Sequence, residues 1–169
     1  CNWAHKENDF LDFDKQYLIP HMESTRGPKI AVADVNKDGL DDLFVCGAAG
    51  QAGTLMIQSS AGKFNATDTA VFAKSKQSEG VDAVFFDANN DGAPDLYVVS
   101  GGNQYDDGAP FLADHLYMNN GSGHFTEAAS AIPPMLNNKS CVTVADIDKD
   151  GDMDLFVGGL ADDKRYGIA

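Results

Sequence analysis

The chain has 169 residues, and its 12 basic and 26 acidic side chains give a formal net charge of −14 at pH 7. Hydrophobic residues make up 43% and charged residues 22%, values typical of a globular domain and not of a disordered chain. The acidic balance argues against nucleic-acid binding, which needs clusters of lysine and arginine, and it favours cations. The sequence contains no apolar run long enough to span a membrane.

The cysteines, Cys1, Cys46 and Cys141, are too few for a disulfide framework and lack the spacing of a zinc site. Cys46 and Cys141 stand in apolar runs, which predicts two buried thiols. Cys1 has two interpretations. It is either the lipidated first residue of a mature bacterial lipoprotein or the boundary of a fragment, and we favour the fragment.

A repeat follows the lead-in, residues 1–28, which is too short to form a repeat unit itself. Residues 31–47, 84–101 and 143–159 align on one aspartate-rich pattern. Their sequences are AVADVNKDGLDDLFVCG, VFFDANNDGAPDLYVVSG and TVADIDKDGDMDLFVGG. The first aspartates of the three units lie 53 and 59 residues apart, a period typical of β-propeller blades.

Each unit predicts two strands joined by the aspartate loop, because both flanks of the loop are short runs rich in β-branched and aromatic residues. A third strand is predicted at 54–58 and 115–119, and a fourth, after a turn, at 63–65 and 124–126. The predicted boundaries are 1–28 for the lead-in and blade junction, 29–79 and 80–139 for two blades, and 140–169 for an incomplete blade. The fold prediction is all-β: a segment of a β-propeller with about two and a half four-stranded antiparallel blades, expected to belong to a longer protein.

The aspartate loops predict metal sites. Positions 1, 3, 5 and 9 carry carboxylate or amide oxygens and position 6 is glycine, so alternate side chains can converge on one cation while the chain turns sharply. The carbonyl at position 7 is a further candidate ligand. The candidates are Asp34, Asn36, Asp38, Leu40 and Asp42 in the first loop, Asp87, Asn89, Asp91, Ala93 and Asp95 in the second, and Asp146, Asp148, Asp150, Asp152 and Asp154 in the third.

Calcium is the cation that this oxygen-only ligand set favours, at about three ions per chain, whereas magnesium keeps more water and fits less well. Position 12 is valine in every loop and not the glutamate of an EF-hand. An aspartate-rich turn without metal is the alternative for a single loop, and three matching loops argue against it. Because so many carboxylates would repel one another without cations, we expect a structural metal.

These units resemble the VCBS/FG-GAP repeat family of calcium-braced propeller blades. Residues 5–13 (HKENDFLDF), 18–28 (LIPHMESTRGP), 96–103 (LYVVSGGN) and 154–159 (DLFVGG) are also similar to the ASPIC/UnbV-type branch of bacterial surface proteins. The resemblance implies a seven-bladed parent propeller in a large extracellular protein. It also implies a place at the bacterial cell surface, associated with the outer membrane and with glycan uptake.

A long loop, residues 101–114, is the candidate binding surface on the side opposite the aspartate loops. It offers an aromatic ring and hydrogen-bonding groups that suit a sugar. Its candidate ligand-binding residues are Asn103, Gln104, Tyr105, Asp106 and Asp107. The alternative, which we favour, is an insertion that packs on a neighbouring blade or subunit. Arg26 is a second candidate for this face, although a solvated charge is the simpler interpretation.

The sequence carries no nucleophile elbow, phosphate-binding loop or zinc-protease motif. We therefore expect a non-catalytic, calcium-binding extracellular module that acts as a scaffold or binding surface for a glycan or an outer-membrane protein. One alternative is the propeller portion of a polysaccharide lyase or hydrolase, which predicts acidic and basic side chains converging in a cleft. Another is an integrin-like adhesion module, which predicts a flatter surface.

Overall fold

A computed structural model describes residues 3–25, 27–67 and 69–160 of the chain. The described residues form three antiparallel sheets of four, four and two strands, and the all-β fold prediction is confirmed. Cys1, Arg26 and the end of the predicted incomplete blade, residues 161–169, lie outside the described residues. None of the described helices is long and apolar enough to cross a membrane.

The first sheet contains β1 (Ile30–Ala33), β2 (Asp42–Val45), β3 (Thr54–Gln58) and β4 (Phe64–Thr67), hydrogen-bonded in chain order. The residues of β1 alternate between exposed and buried positions, because successive side chains of a strand point to opposite faces. Ala31 is buried between the exposed Ile30 and Val32. The predicted third strand has the bounds of β3, and β4 begins one residue later than predicted.

The second sheet contains β5 (Glu79–Phe86), β6 (Asp95–Gly101), β7 (His115–Asn119) and β8 (Phe125–Glu127), also in chain order. Every residue of β6 is buried, which accounts for its almost continuous apolar sequence. The predicted third strand of this blade has the bounds of β7. β8 begins one residue later than predicted, and β5 begins at the last residue assigned to the preceding blade.

The third sheet contains β9 (Lys139–Ala145) and β10 (Asp154–Gly159). Val142 and Val144 of β9 pack toward the second sheet, so the alternate residues of β9 face away from it. Cys141 is one of these and is exposed, so the prediction of a buried thiol there is wrong. The Cys46 thiol is buried as predicted, and burial raises its pKa to about 12.

A short helix, α1 (Thr69–Phe72), continues into a 3-10 turn, Ala73–Ser75, between the first and second sheets. The sequence analysis did not predict it. The ring of Phe72 lies 5.1 Å from that of Phe44 and 4.9 Å from that of Tyr117, measured between centroids. α1 is too short to be stable alone, and the packing of Phe72 between the two sheets holds it in place.

Two hydrophobic clusters lie between successive sheets. The first contains Phe44 and Leu55 of the first sheet together with Leu96 and Phe125 of the second. The other joins the second sheet to the valines of β9. β1 contacts β5, and β5 contacts β9, so the inner strands of successive sheets are neighbours, as in a propeller.

Candidate metal centres

The three aspartate loops connect β1 to β2, β5 to β6 and β9 to β10, and they share one backbone conformation. Position 4 is a left-handed residue in each loop: Lys37, Asn90 and Lys149 have φ angles of 61°, 59° and 63°. The glycines at position 6, Gly39, Gly92 and Gly151, have φ angles of 81°, 80° and 98°. A left-handed non-glycine residue costs free energy, so its presence at the same position of each loop marks a repeated, specified geometry.

Hydrogen bonds gather the oxygens of the first loop. The Asp38 N–H donates to Asp34 Oδ1 and to Asn36 Oδ1, each at 3.1 Å, which places these two oxygens beside each other. The Gly39 N–H donates to Asp34 Oδ2 at 2.8 Å, and the Leu40 N–H donates to Asp38 Oδ1 at 2.9 Å. The Asn36 side-chain N–H also donates to Asp38 Oδ2 at 3.0 Å. The side chains at positions 1, 3 and 5 therefore lie together, and their role as metal ligands stays a prediction.

The second loop repeats these bonds. The Asp91 N–H donates to Asp87 Oδ1 at 3.1 Å and to Asn89 Oδ1 at 3.0 Å, and the Gly92 N–H donates to Asp87 Oδ2 at 2.7 Å. The hydrogen bond from the Asn89 side chain is the main cause that holds the pKa of Asp91 below its usual value, and the bond from the Ala93 N–H adds to it. A ligand role for the position 7 carbonyls of Leu40, Ala93 and Asp152 stays a prediction.

The aspartates at position 9 of the first two loops lie inside the fold. Asp42 is fully buried and accepts hydrogen bonds from the N–H groups of Val35, at 3.1 Å, and Gln58, at 2.8 Å. Asp95 likewise accepts from the N–H groups of Ala88 and Asn119. Burial raises the pKa of both carboxyl groups. Each therefore ties its loop to the end of the third strand, and each oxygen keeps a second lone pair for a cation.

The third loop has the same frame with fewer internal bonds. The Gly151 N–H donates to Asp146 Oδ2 at 3.1 Å, and the Ile147 N–H donates to Asp154 Oδ2 at 2.9 Å. Asp146 Oδ1 is buried and makes no hydrogen bond. Among the described residues, carboxylate oxygens of Asp146, Asp148 and Asp154 form the acidic group that lies within 4.8 Å of one another.

The oxygens of the third loop would suit a hard divalent cation. A buried carboxylate oxygen without a partner is costly, and a hard divalent cation that takes several oxygen ligands would satisfy it. Asp146, Asp148, Asp150 and Asp154 are the side chains that would hold the ion, and the ion would supply positive charge to a group of mutually repelling carboxylates.

The second and third loops contact each other through position 4. The Asn90 side-chain N–H donates to Asp152 Oδ1 of the third loop at 2.6 Å. Lys37 occupies the same position in the first loop, and its charge helps to lower the pKa of Asp91 in the second loop. Position 4 therefore links the second candidate centre to the third by a hydrogen bond and acts on the second from the first only through its charge.

The loop at residues 101–114 packs on the lead-in. Asn103 is 2% exposed, and its side chain donates to Asp12 Oδ1 and accepts from Asn138. Asn8 donates to Gln104 Oε1, and the Tyr105 hydroxyl donates to the carbonyl oxygen of Gln77. Asp106 pairs with Lys15 at 2.8 Å, and Asp107 accepts from the Asn138 N–H at 3.2 Å. These contacts give all five candidate residues a role within the fold, and a sugar contact stays a prediction.

Asn119 is a residue of the metal-loop region that the sequence analysis did not single out. Its buried side chain donates to the carbonyl oxygens of Val35 and Pro94, which lie in the first and second aspartate loops. Its Oδ1 accepts from the N–H groups of Gly121 and Gly123. The only signal in the sequence was the Asn-Asn-Gly turn at 119–121, which predicts a hairpin and not a link between loops.

The sheets and the repeated loops define a β-propeller-type repeat protein. The profile of the FG-GAP-like repeat matches residues 34–98 and 87–157, so the two matches together span most of the chain and each begins at the first aspartate of a loop. The chain therefore belongs to the FG-GAP-like repeat family, and this part of the resemblance is confirmed. A search of curated proteins found no match.

Proposed function

We propose that the chain is a non-catalytic, calcium-braced propeller segment that holds a rigid binding surface for a protein or glycan partner. The observation that supports it most directly is the aspartate loop itself, which recurs with one backbone conformation and one hydrogen-bond pattern. The buried Asp146 Oδ1, which makes no hydrogen bond, supports the proposal further, because a cation would satisfy this oxygen.

The charge of the chain supports the same proposal. A formal charge of −14 destabilises a compact state through self-repulsion, and the loops concentrate that charge at one end of the sheets. About three calcium ions would offset part of it where the carboxylates are closest. The loops join adjacent strands, so we assign the ions a structural role.

We also propose a cellular location for the module. The similarity of residues 5–13 and 18–28 to the ASPIC/UnbV-type branch supports an extracellular module of a larger bacterial protein, associated with the outer membrane and with glycan uptake. Such a parent would have further blades, and the propeller of integrins shows that this architecture serves as a recognition surface. We assign no catalytic residue to this chain.

Calcium stoichiometry tests the proposal. We expect about three ions per chain, and we expect chelation to lower the melting temperature, since each ion bound at 100 Kd stabilises by about 2.7 kcal/mol. Asp38→Ala, Asp91→Ala and Asp150→Ala should each remove one ion. Asp41→Ala is the matched control, because Asp41 is an exposed carboxylate at position 8 of the first loop. Unchanged calcium content in all three variants would contradict the proposal.

A further inference from the structure

A cavity of about 290 Å³ lies at the end of the sheets opposite the aspartate loops. Glu79 begins β5 and pairs with Gly101 at the end of β6, whereas the aspartate loop joins the other ends of the same strands. The lead-in supplies a second wall through His5 and Glu7. Three segments far apart in sequence therefore converge here.

Glu79 is a buried acid that faces this cavity. It is 8% exposed, and among the described residues none makes a hydrogen bond or an ion pair with its carboxyl group. Its pKa is raised to about 8, chiefly by burial and further by the nearby Glu7 and Asp12. Gly102, at φ +87°, makes room for it, since a Cβ there would clash with Glu79 Oε2.

A histidine–glutamate pair forms the facing wall. His5 Nε2 and Glu7 Oε1 are 2.7 Å apart, and His5 Nδ1 is buried without a hydrogen bond. If Nε2 donates to Glu7, Nδ1 of the neutral ring is an acceptor. A Cβ at Gly27 would lie 2.7 Å from His5 Nε2, so this glycine also keeps the space open.

The lysines that line the cavity do not neutralise Glu79. The Lys139 ammonium donates to the carbonyl oxygens of Leu112, Met135 and Asn137 and lies 3.4 Å from Asp114. The exposed Lys29 acts on the Cys46 thiol. The charges near Glu79 that shift its pKa are both acidic.

We propose that this cavity binds an organic cation, with the ammonium or guanidinium group of the ligand against the carboxyl groups of Glu79 and Glu7. The ligand supplies N–H donors to the carboxyl group of Glu79, which no described residue pairs, and adds one to Glu7 beside its contact with His5, while small or apolar residues such as Ala48, Val81 and Leu160 line the space for its carbon chain. The proposal goes beyond the calcium-braced scaffold and does not depend on it.

Two other ligand classes fit less well. A single metal ion would need its ligand atoms close together, and the described residues gather three acidic groups in that way in the third aspartate loop and not here. A pyranose would favour an aromatic platform, and the cavity lining contributed by the described residues contains no tryptophan, tyrosine or phenylalanine. The volume instead suits a group of the size of a lysine or arginine side chain.

Binding of agmatine and of n-butylammonium to the calcium-loaded chain tests the proposal, measured by calorimetry against potassium chloride at equal ionic strength. We expect saturable binding at about pH 9, above the raised pKa of Glu79, that weakens at least about ten-fold in Glu79→Gln and in Glu7→Gln, as expected for the loss of a charge partner. Glu127→Gln is the matched control, because Glu127 also pairs with a histidine, His115, at 2.8 Å but lies outside the cavity. It should bind like the parent chain.

A second arm distinguishes a free amine from a side chain of a protein. Peptides with one central lysine or arginine are compared with a glutamine peptide of otherwise identical sequence. Tighter binding of the cationic peptides than of the free amines identifies a protein partner as the source, and the reverse identifies a small amine. Equal affinity of the parent chain and Glu79→Gln for every probe, or no binding above the salt control, overturns the proposal. The calcium content of each variant is measured in parallel and should not change.

Discussion

At the scale of single residues, Glu79 has an environment far from that of an exposed acid. Burial raises its pKa from 4.5 to about 8, with Glu7 and Asp12 adding to the shift. The folded chain therefore holds this proton over a pH range in which the unfolded chain has released it. The contribution of Glu79 is most favourable to the fold below its unfolded pKa, and it is lost as the pH rises through about 8.

We predict that the free energy of unfolding falls between about pH 5 and pH 8.5, and that Glu79→Gln removes part of this fall. The contribution of Glu79 is on the order of 4 kcal/mol at most. Urea denaturation of the two chains at both pH values measures it. The ionisable residues around the cavity are His5, Glu7, Asp12, Glu23, Lys29 and Lys139.

Other ionisable groups also contribute to the pH dependence of the unfolding free energy. The result therefore rests on the difference between the parent chain and Glu79→Gln. Glu127→Gln serves as the control, since it removes a carboxyl group of the same kind on β8. Identical pH profiles for the parent chain and Glu79→Gln would show that Glu79 is ionised in the fold as in the unfolded chain.

At the scale of elements, the aspartate at position 9 joins an aspartate loop to the third strand. Asp42→Ala leaves the N–H groups of Val35 and Gln58 without an acceptor, and we predict a loss of about 2–4 kcal/mol from the free energy of unfolding. Asp154→Ala removes an acceptor from the Ile147 N–H and should cost about 1 kcal/mol.

Urea denaturation in the presence of a chelator separates this effect from any loss of calcium. Asp41→Ala changes the same charge on the exposed side of the first loop and should stay within about 0.5 kcal/mol of the parent chain. Equal costs for Asp42→Ala and Asp154→Ala would show that burial and strand contacts do not govern this position.

Elements with a strong local pattern were predictable from the sequence. β3 and β7 have their predicted bounds because each is an apolar run enclosed by turn residues. α1 was not predictable, since four residues carry no helical period and Phe72 is fixed by rings from other elements. Cys141 was misassigned because an apolar run does not reveal which face of a strand is covered.

The candidate sites likewise differ in how far the sequence alone predicts them. The residues of each aspartate loop are close in sequence, and hydrogen bonds within the loop hold positions 1, 3 and 5 together, while metal binding there stays a prediction. The cavity depends on the meeting of His5, Glu79 and Gly102, which no spacing in the sequence encodes. The loop at 101–114 carries polar side chains whose partners in the lead-in are likewise distant in sequence.

At the scale of the whole molecule, Phe72 holds the first two sheets together. Its ring contacts Phe44 of the first sheet and Tyr117 and Phe125 of the second. We predict that Phe72→Ala costs about 3–5 kcal/mol of unfolding free energy, since it opens a cavity in the cluster between the sheets.

Chemical denaturation followed by tryptophan fluorescence and by circular dichroism measures this cost. Phe156→Ala removes a ring of the same size that is 61% exposed on β10, and it should cost less than about 1 kcal/mol. A similar loss in both variants would show that the two sheets do not depend on the ring between them.

The contact between Asn90 and Asp152 has a geometric consequence for the parent protein. A closed ring of blades requires that every blade be rotated from its predecessor by the same angle. A hydrogen bond from one loop to the next is a means of setting that angle between two successive blades with a single residue. Asn90 would therefore influence the rotation between the second and third blades, although it lies outside both the core and the ligand positions.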